Sequence, residues 1–471
     1  MDKKITVDLN ENIQYFNAKL DVKKNFDIIN RMTKVAERKA GYYFVDGFVK
    51  DEIMERLLEF FYSIQPENLT GDSNDLSKDA LPYVEVDVLD DKEQIITSIL
   101  SGIVCLFIDG YSKCLAIDCR TYPMRSVDEP SNDKVLRGSR DGFVETVVMN
   151  TALIRRRIRT PKLSMEMMNV GESSKTDIVI CYMEDRVDKA FLEDVKSRIT
   201  GLKVDALTMN QESLSECIYR RKWYNPFPKF KNTERPDTTA ASLLEGKIAI
   251  LVDNSPSALI MPASIFDIME EADDFYYPPV TGSYLRLSRF IISVMTLILT
   301  PLWLLFMQNP EWIPDALDFI RITDSVHIPI FLQLFILEFA IDGMKLASIN
   351  TPSILSMPLS VIAAIVVGEF AVSSGWFNSE TMLYMAFVAI GNYTQANYEL
   401  GYAFKFMRMM TLVLTAVFNL YGFIAGLLLT IVFIVSNRTI AGKSYIYPLV
   451  PFNGAQLMRR LFRKRIEHYY E

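Results

Sequence analysis

The residues with chemical potential in this chain are ionisable groups set inside apolar runs. Glu338, Asp342 and Lys345 are separated by four and three positions, so they share one face of a helix. Glu369 stands in another apolar run without a near charged partner in sequence. A carboxylate in such surroundings is costly unless it faces a cavity, a pore or another helix. An acidic ring contributed by several copies of the chain would attract cations and repel anions. Glu338, Asp342, Lys345, Glu369 and Glu399 are therefore candidates for an ion pathway. The competing account is a structural ion pair, made by Glu338 or by Asp342 with Lys345. For Glu399, Lys405 and Arg408, a polar helix on a membrane surface over residues 392–408 is the plainer account.

Enzymatic chemistry is hard to build from this inventory. The two histidines, His327 and His468, stand apart from any cluster. There is no HExxH, no GxSxG and no dinucleotide fingerprint. Gly442-Lys443-Ser444 has the ending of a phosphate-binding loop, but Asn437 stands where its first glycine must be. The five cysteines form no repeated CxxC pair, so free thiols are expected and a structural zinc site is not. No catalytic residue, metal or cofactor is assigned, and an enzyme is not expected.

The elements that must position the ionisable set lie in an apolar block, residues 290–435. It opens with an uncharged run, 290–307, long enough to span a bilayer. It closes with an uncharged stretch, 409–435, that spans with tilt to spare. Between them lie three less regular segments, 328–341, 354–372 and 381–393. Four crossings, with 381–393 as a re-entrant or interfacial piece, return the chain to its starting side. Broken segments at membrane depth are tolerated where they line a wet cavity. Arg286 and Arg289 before the first span, and the basic run from Arg459 to Arg465, place both ends in the cytoplasm. No apolar stretch follows the N-terminal lysines, so the half before the spans is expected to stay on that side.

That half carries an internal repeat. Residues 43–54 match 181–192 as strand, acidic turn and amphipathic helix. Residues 99–110 match 243–254, with Gly102 and Gly246 equivalent. Asp109-Gly110 and Asp253-Asn254 read as hairpin turns, which suits their chemistry better than catalysis. The fold class is thus an α/β soluble N-terminal half made of two related modules, 38–130 and 175–270, followed by an all-α polytopic membrane domain, 290–440. An N-terminal segment 1–37, a basic helical linker 131–174, a second linker 271–289 and a basic tail 441–471 complete the division. Arg155, Arg156, Arg157 and Arg159 end a helix expected over 144–159 and form a candidate assembly surface. A solvated helix end favoured by the dipole is the plain alternative. The chain's 471 residues exceed one core, and 50% hydrophobic with 23% charged residues suits a membrane half joined to a soluble one. A net charge of −8 and the lack of aromatic interleaving argue against nucleic acid.

Longer motifs carry a resemblance. Asp141-Gly-Phe-Val-Glu-Thr146, Asn150, Leu153-Ile-Arg-Arg-Arg-Ile158 and Gly171-Glu-Ser-Ser-Lys-Thr176 resemble the A-subunit family of bacterial spore germination receptors, the GerA family. So do Asn254-Ser-Pro-Ser257, Pro262, Tyr276-Tyr-Pro-Pro279, residues 283–289, Ile349-Asn-Thr-Pro352 and the exit at 448–453. The resemblance covers nearly the whole chain. It implies a protein of the inner spore membrane with two related subdomains on the core side. It also implies a homo-oligomeric ion channel, with a pentamer as the expected form, that releases monovalent cations. Partners would be germinant-receptor subunits or, in an amplifying branch of the family, a small membrane protein. A nutrient-germinant receptor A subunit is the alternative function. A non-conducting scaffold and a secondary transporter are alternatives of other classes.

Overall fold

The computed structural model describes residues 3–49, 51–64, 86–119, 134–219, 222–323, 325–351, 368–395 and 397–463. They fall into two compact units, Met1–Arg221 with Phe230–Pro262, and Lys222–Lys229 with Ala263–Glu471.

The first unit is a duplicated α/β fold. Its first copy runs α1 (Leu9–Lys19), β1 (Ile28–Val35), β2 (Arg38–Val45), α2 (Asp51–Ser63), β3 (Val86–Leu89), α3 (Lys92–Leu100), β4 (Val104–Ile108) and β5 (Cys114–Ile117). The second runs α4 (Val147–Arg157), β6 (Leu163–Val170), β7 (Thr176–Met183), α5 (Lys189–Thr200), α6 (Asn210–Ile218), β8 (Lys231–Thr233), α7 (Pro236–Leu244), β9 (Ile248–Val252) and β10 (Ala258–Met261). Each copy makes one antiparallel five-stranded sheet, ordered β1-β2-β4-β5-β3 and β6-β7-β9-β10-β8. In the first copy, Leu57 and Phe61 of α2 pack on the face presenting Tyr42, Leu106 and Leu115. Leu9, Phe16, Ile95 and Ile99 cover the opposite face, with Tyr43, Cys105 and Phe107. Burial on both faces explains why β4 and β5 read as continuous apolar runs rather than alternating ones.

The copies share details below the level of topology. Asn12 donates to the Thr6 carbonyl at 2.6 Å and accepts the Thr6 N–H at 3.0 Å. Asn150 makes the same two bonds to Val144, at 2.6 and 2.8 Å. Asp109 accepts the N–H of Leu9 at 3.3 Å, and Asp253 that of Val147 at 3.1 Å. The two turn aspartates thus tie their hairpins to the first helix of each copy. Gly102 and Gly246 both have positive φ, +91° and +87°. A side chain at Gly102 would strike the Phe48 ring, and one at Gly246 the Arg186 carbonyl.

The sequence boundaries 38–130 and 175–270 start each copy too late. Residues 1–37 contain α1 and β1, and the linker 131–174 contains α4 and β6; the strands are integral to the sheets and the helices pack on them. The helix 144–159 begins at Val147, and its basic end is not uniformly exposed. Arg155 is fully buried and bonds Asp27 through two nitrogens, at 2.8 and 3.1 Å, and the Leu163 carbonyl at 3.1 Å. Beside this pair the Met165 N–H donates to Asn25 at 2.8 Å, and the Phe26 N–H to the Met165 carbonyl at 3.3 Å. These contacts join the two copies. Arg157 pairs with Asp141 at 2.5 Å; burial raises the Asp141 pKa, but bonds from Arg157 and Ser139 outweigh it and hold the carboxyl below its usual range. Arg156 and Arg159 are exposed. The cysteines are free thiols, all buried but Cys217, and burial pushes Cys119 up to about 11.

The second unit is helical: α8 (Ile265–Met269), α9 (Asp273–Tyr276), α10 (Pro279–Gln308), α11 (Ile330–Asn350), α12 (Ala371–Ser373), α13 (Ser379–Tyr393), α14 (Tyr398–Val435) and α15 (Gly454–Leu461). Among the described residues, α10 and α14 are long and apolar enough to cross a membrane by length and composition. The stretch 271–289, expected as a linker, holds α9 and the start of α10. There Arg286 and Arg289 are buried, each at hydrogen-bond distance from the buried Asp274, at 3.2 and 3.1 Å. Glu270 bonds Arg286 at 2.7 Å and Glu271 bonds Arg289 at 2.5 Å. The apolar segment 354–372 lies outside the described residues apart from 368–372.

The run 409–435 is not one rod. At Asn419, φ +52° and ψ −132°, α14 folds back on itself. A side chain at Gly422 would meet the Leu414 carbonyl oxygen at 1.8 Å, and one at Gly426 the Thr411 Cα at 2.8 Å. In a straight helix residues eight apart are about 12 Å apart along the axis. The legs 398–418 and 420–435 are therefore antiparallel, with glycines at the contact. Asn419 and Asn309 exchange side-chain bonds of 2.7 and 3.1 Å, fixing the tip of the hairpin to the end of α10.

Two outcomes follow from this packing. Arg155→Met leaves Asp27 buried without its partner and should cost about 3–5 kcal/mol. Arg159→Ala, on an exposed side chain, should stay within about 0.5 kcal/mol of wild type; thermal melts of the purified proteins compare them. Gly422→Val should collapse the yield of folded protein on size exclusion, because backbone must move. Gly343→Ala, where no neighbour lies within 4 Å, should leave it intact.

Candidate functional site

The site is a set of ionisable side chains enclosed by α10, α11 and α14. Glu338 and Asp342 sit four residues apart on α11, and Lys405 and Arg408 three apart on the first leg of α14. Both spacings put each pair on one helical face. Arg408, with a fully buried side chain, donates to Glu338 Oε1 at 2.7 Å and Oε2 at 2.9 Å. Its remaining terminal nitrogen donates to the Thr296 carbonyl of α10 at 3.0 Å. Lys405 donates to the Glu338 carbonyl at 2.9 Å and to Asp342 at 2.5 Å, and lies 3.3 Å from Glu338 Oε2.

The four formal charges cancel. A bidentate arginine–carboxylate pair is among the stronger polar contacts, and it offsets desolvation only when further bonds satisfy the remaining groups. Here Thr296 and Lys405 supply those bonds. Lys345, one turn beyond Asp342, lies over the rings of Tyr393 at 4.6 Å and Tyr402 at 5.6 Å. Asp342 Oδ1 and Asn392 Oδ1 are buried without a hydrogen-bond partner among the described residues. Lys345, Asn392, Tyr402 and Lys405 line a shared cleft.

The candidate residues thus divide by environment. Glu338, Asp342 and Lys345 are held in or beside this neutral set. Glu369 is exposed, in a π-helical turn just before α12, with Phe370 exposed beside it. Glu399 occupies the first turn of α14, where the dipole favours a carboxylate. Lys405 and Arg408 correct the sequence reading: they do not lie on a membrane-surface helix. They are buried because α11 presents two carboxylates at matching height. Asp342 pairs with Lys405 rather than Lys345. The same pairing lets α11 continue to Asn350, past the charged residues that closed the expected segment at 341. A signal existed: two apolar helices carry opposite charges at helical spacing. Thr296, contributing only its carbonyl, left none.

A duplicated α/β half joined to apolar helices with a buried, self-neutralising charge set is the organisation of a membrane protein with a large α/β domain. The chain belongs to the GerA family of spore germination proteins. The model described as Bacillus/Clostridium GerA spore germination protein matches residues 14–470. The chain is 36% identical over 454 residues to stage V sporulation protein AF of Bacillus subtilis, covering 96% of this chain and 92% of that protein. The linker motif and residues 440–448 likewise resemble that protein. Spore germination protein A1 of the same organism is 28% identical over 433 residues, 91% of this chain and 88% of that one. Among solved structures, the N-terminal domain of the A subunit of the Bacillus megaterium spore germinant receptor GerK3 aligns at 27% identity and a TM-score of 0.43, covering 56% of this chain and 98% of that domain.

Removing one partner of the buried pair should be costly. Glu338→Gln and Arg408→Met should each lower stability by about 3–5 kcal/mol. The double variant should lose less than the sum, because neither charge is then stranded. Thermal unfolding in detergent, run as a double-mutant cycle, measures the coupling.

Proposed function

We propose that copies of this chain together form or gate an ion channel that releases monovalent cations from the spore core and amplifies the germinant signal. The reading is non-enzymatic. The observation that carries it is the contrast between the two kinds of intramembrane carboxylate. Glu338 and Asp342 are neutralised within one protomer, whereas Glu369 is exposed on its helical unit. An exposed carboxylate flanked by apolar residues calls for a watery path or a neighbouring copy. A ring of Glu369 side chains from several protomers, a pentamer in the expected form, supplies both and favours cations. The Glu338 set then holds the helices beside that path in register.

A multi-pass arrangement in the inner spore membrane accompanies this reading. The ends of α10 and of the first α14 leg meet through Asn309 and Asn419. The start of α11 meets the start of α13 through Gln333 and Asn378, at 2.7 Å. At the opposite end, Ser293 of α10 bonds Gln395, just past α13, at 3.0 Å. α10 and the first α14 leg thus run one way and α11 and α13 the other, an arrangement that supports repeated crossings. Similarity to stage V sporulation protein AF supports the amplifying role, working with a small membrane partner. The receptor-subunit reading, a protein acting with other germinant-receptor subunits, is favoured by the similarity to spore germination protein A1.

Potassium efflux from liposomes containing the full chain tests the proposal. Glu369→Gln should reduce flux about tenfold or more if the ring lines the path, with assembly unchanged. A stable oligomer with no flux, with or without its co-purified partner, would replace the channel by a scaffold.

A further inference from the structure

Residues 222–229 interrupt the second α/β copy in sequence, between α6 and β8, yet belong to the helical unit. Their attachment there is built from specific contacts. Phe227 is buried, with its ring 6.2 Å from Phe404 and 6.3 Å from Tyr445. Lys229 is also buried; it donates to Asn437 Oδ1 and, at 2.5 Å, to the Arg438 carbonyl just past the end of α14. Asn225 accepts the Phe227 N–H at 3.1 Å and closes the turn. The segment is pinned where the second leg of α14 ends.

Its outer part carries an exposed aromatic pair. Tyr224, 50% exposed, sets its ring edge-on against Phe433 at 6.3 Å. Trp223 is 95% exposed, with its ring edge-on to that of Tyr224 at 6.0 Å. The Lys222 ammonium lies 5.9 Å from the Tyr224 ring. Alongside, the outward flank of the leg is apolar and exposed at Leu428, Ile431, Val432 and Val435. It then gives way to Ser436-Asn437-Arg438. Trp223 and Tyr224 therefore stand at the level where an apolar helix surface turns polar. Trp and Tyr, with an apolar body and a polar edge, are favoured at the matching level of a bilayer.

We propose that residues 222–229 form an interfacial anchor, with the Trp223 and Tyr224 rings in the boundary between headgroups and acyl chains and Lys222 toward the headgroups. Lipid is the occupant because the exposed pair continues the apolar flank of the 420–435 leg and because Lys222 complements anionic headgroups. The inference rests on the proposed reading that this leg crosses a bilayer.

Tryptophan fluorescence of the full chain in nanodiscs of phosphatidylcholine and phosphatidylglycerol tests it. The difference between wild type and Trp223→Phe isolates one of the four tryptophans, and the other three serve as an internal reference. Lipids brominated near the headgroup end of the acyl chain should quench most of that difference, and aqueous iodide little of it. Tyr224→Trp in the Trp223→Phe background should restore a lipid-quenched signal. Quenching by iodide alone would put the loop in water and overturn the anchor. Quenching by neither would mean that a second copy or a protein partner covers it, which overturns it as well. An Ile431→Trp variant separates the two levels of inference. If deep-brominated lipid quenches Trp at 431 while Trp223 stays unquenched, only the anchor fails. If neither is quenched, the crossing itself fails.

Discussion

Charge buried at low dielectric must be matched by charge, and the helical half of this protein is arranged around one such match. The Glu338–Arg408 pair cannot be separated without stranding an ion, so α11 and the first leg of α14 are held at one height and one rotation. The Thr296 carbonyl draws α10 into the same arrangement. Lys405 completes it by bonding both the backbone of Glu338 and the side chain of Asp342. Apolar packing between helices in lipid is weakly directional, since lipid tails are as apolar as leucine. The bidentate pair supplies the register that packing alone would leave loose.

The α/β half uses the same device between its two copies and a set of milder ones within each. Asp27 and Arg155 form the buried pair that fixes one copy against the other. Within each copy the work is done by the asparagine clamp, the turn aspartate and the positive-φ glycine. These repeat because duplication copied them. Arg155 stands apart because its role arises only after duplication: its partner belongs to the other copy. A residue in a basic cluster at a helix end looks like a surface feature in sequence. It becomes a core residue only when the second sheet is placed beside the first.

That difference explains what could be read from the chain and what could not. The repeat was legible because strand, turn and glycine recur at matching positions. Its starting points were not, because α1 and β1 share little sequence pattern with α4 and β6. The charge spacing on α11 was legible as a shared face. The answering pair on α14 reads as part of a surface helix, because charges in a half-polar stretch resemble solvated ones until a partner helix is in view. The reversal at Asn419 was hidden in a long uncharged run. Gly422 and Gly426, four apart, were its trace: a spacing that permits close backbone approach without saying which backbone approaches.

A closed and neutral charge set also constrains where an ion could pass. The Glu338 carboxylate is held through both oxygens by Arg408, so offering it to a passing cation would mean breaking bonds in the set that holds three helices together. A path through the middle of one protomer would dismantle the element that orders it. A path between protomers would leave that element intact and use carboxylates that have no such structural duty. Glu369 is the exposed member of the set, and it lies on a different part of the chain from the interior pair. In the channel reading, separating the two groups allows the conducting surface to change its hydration while the helices behind it stay fixed. Conduction and stability then rest on different residues, which allows one to be altered without the loss of the other.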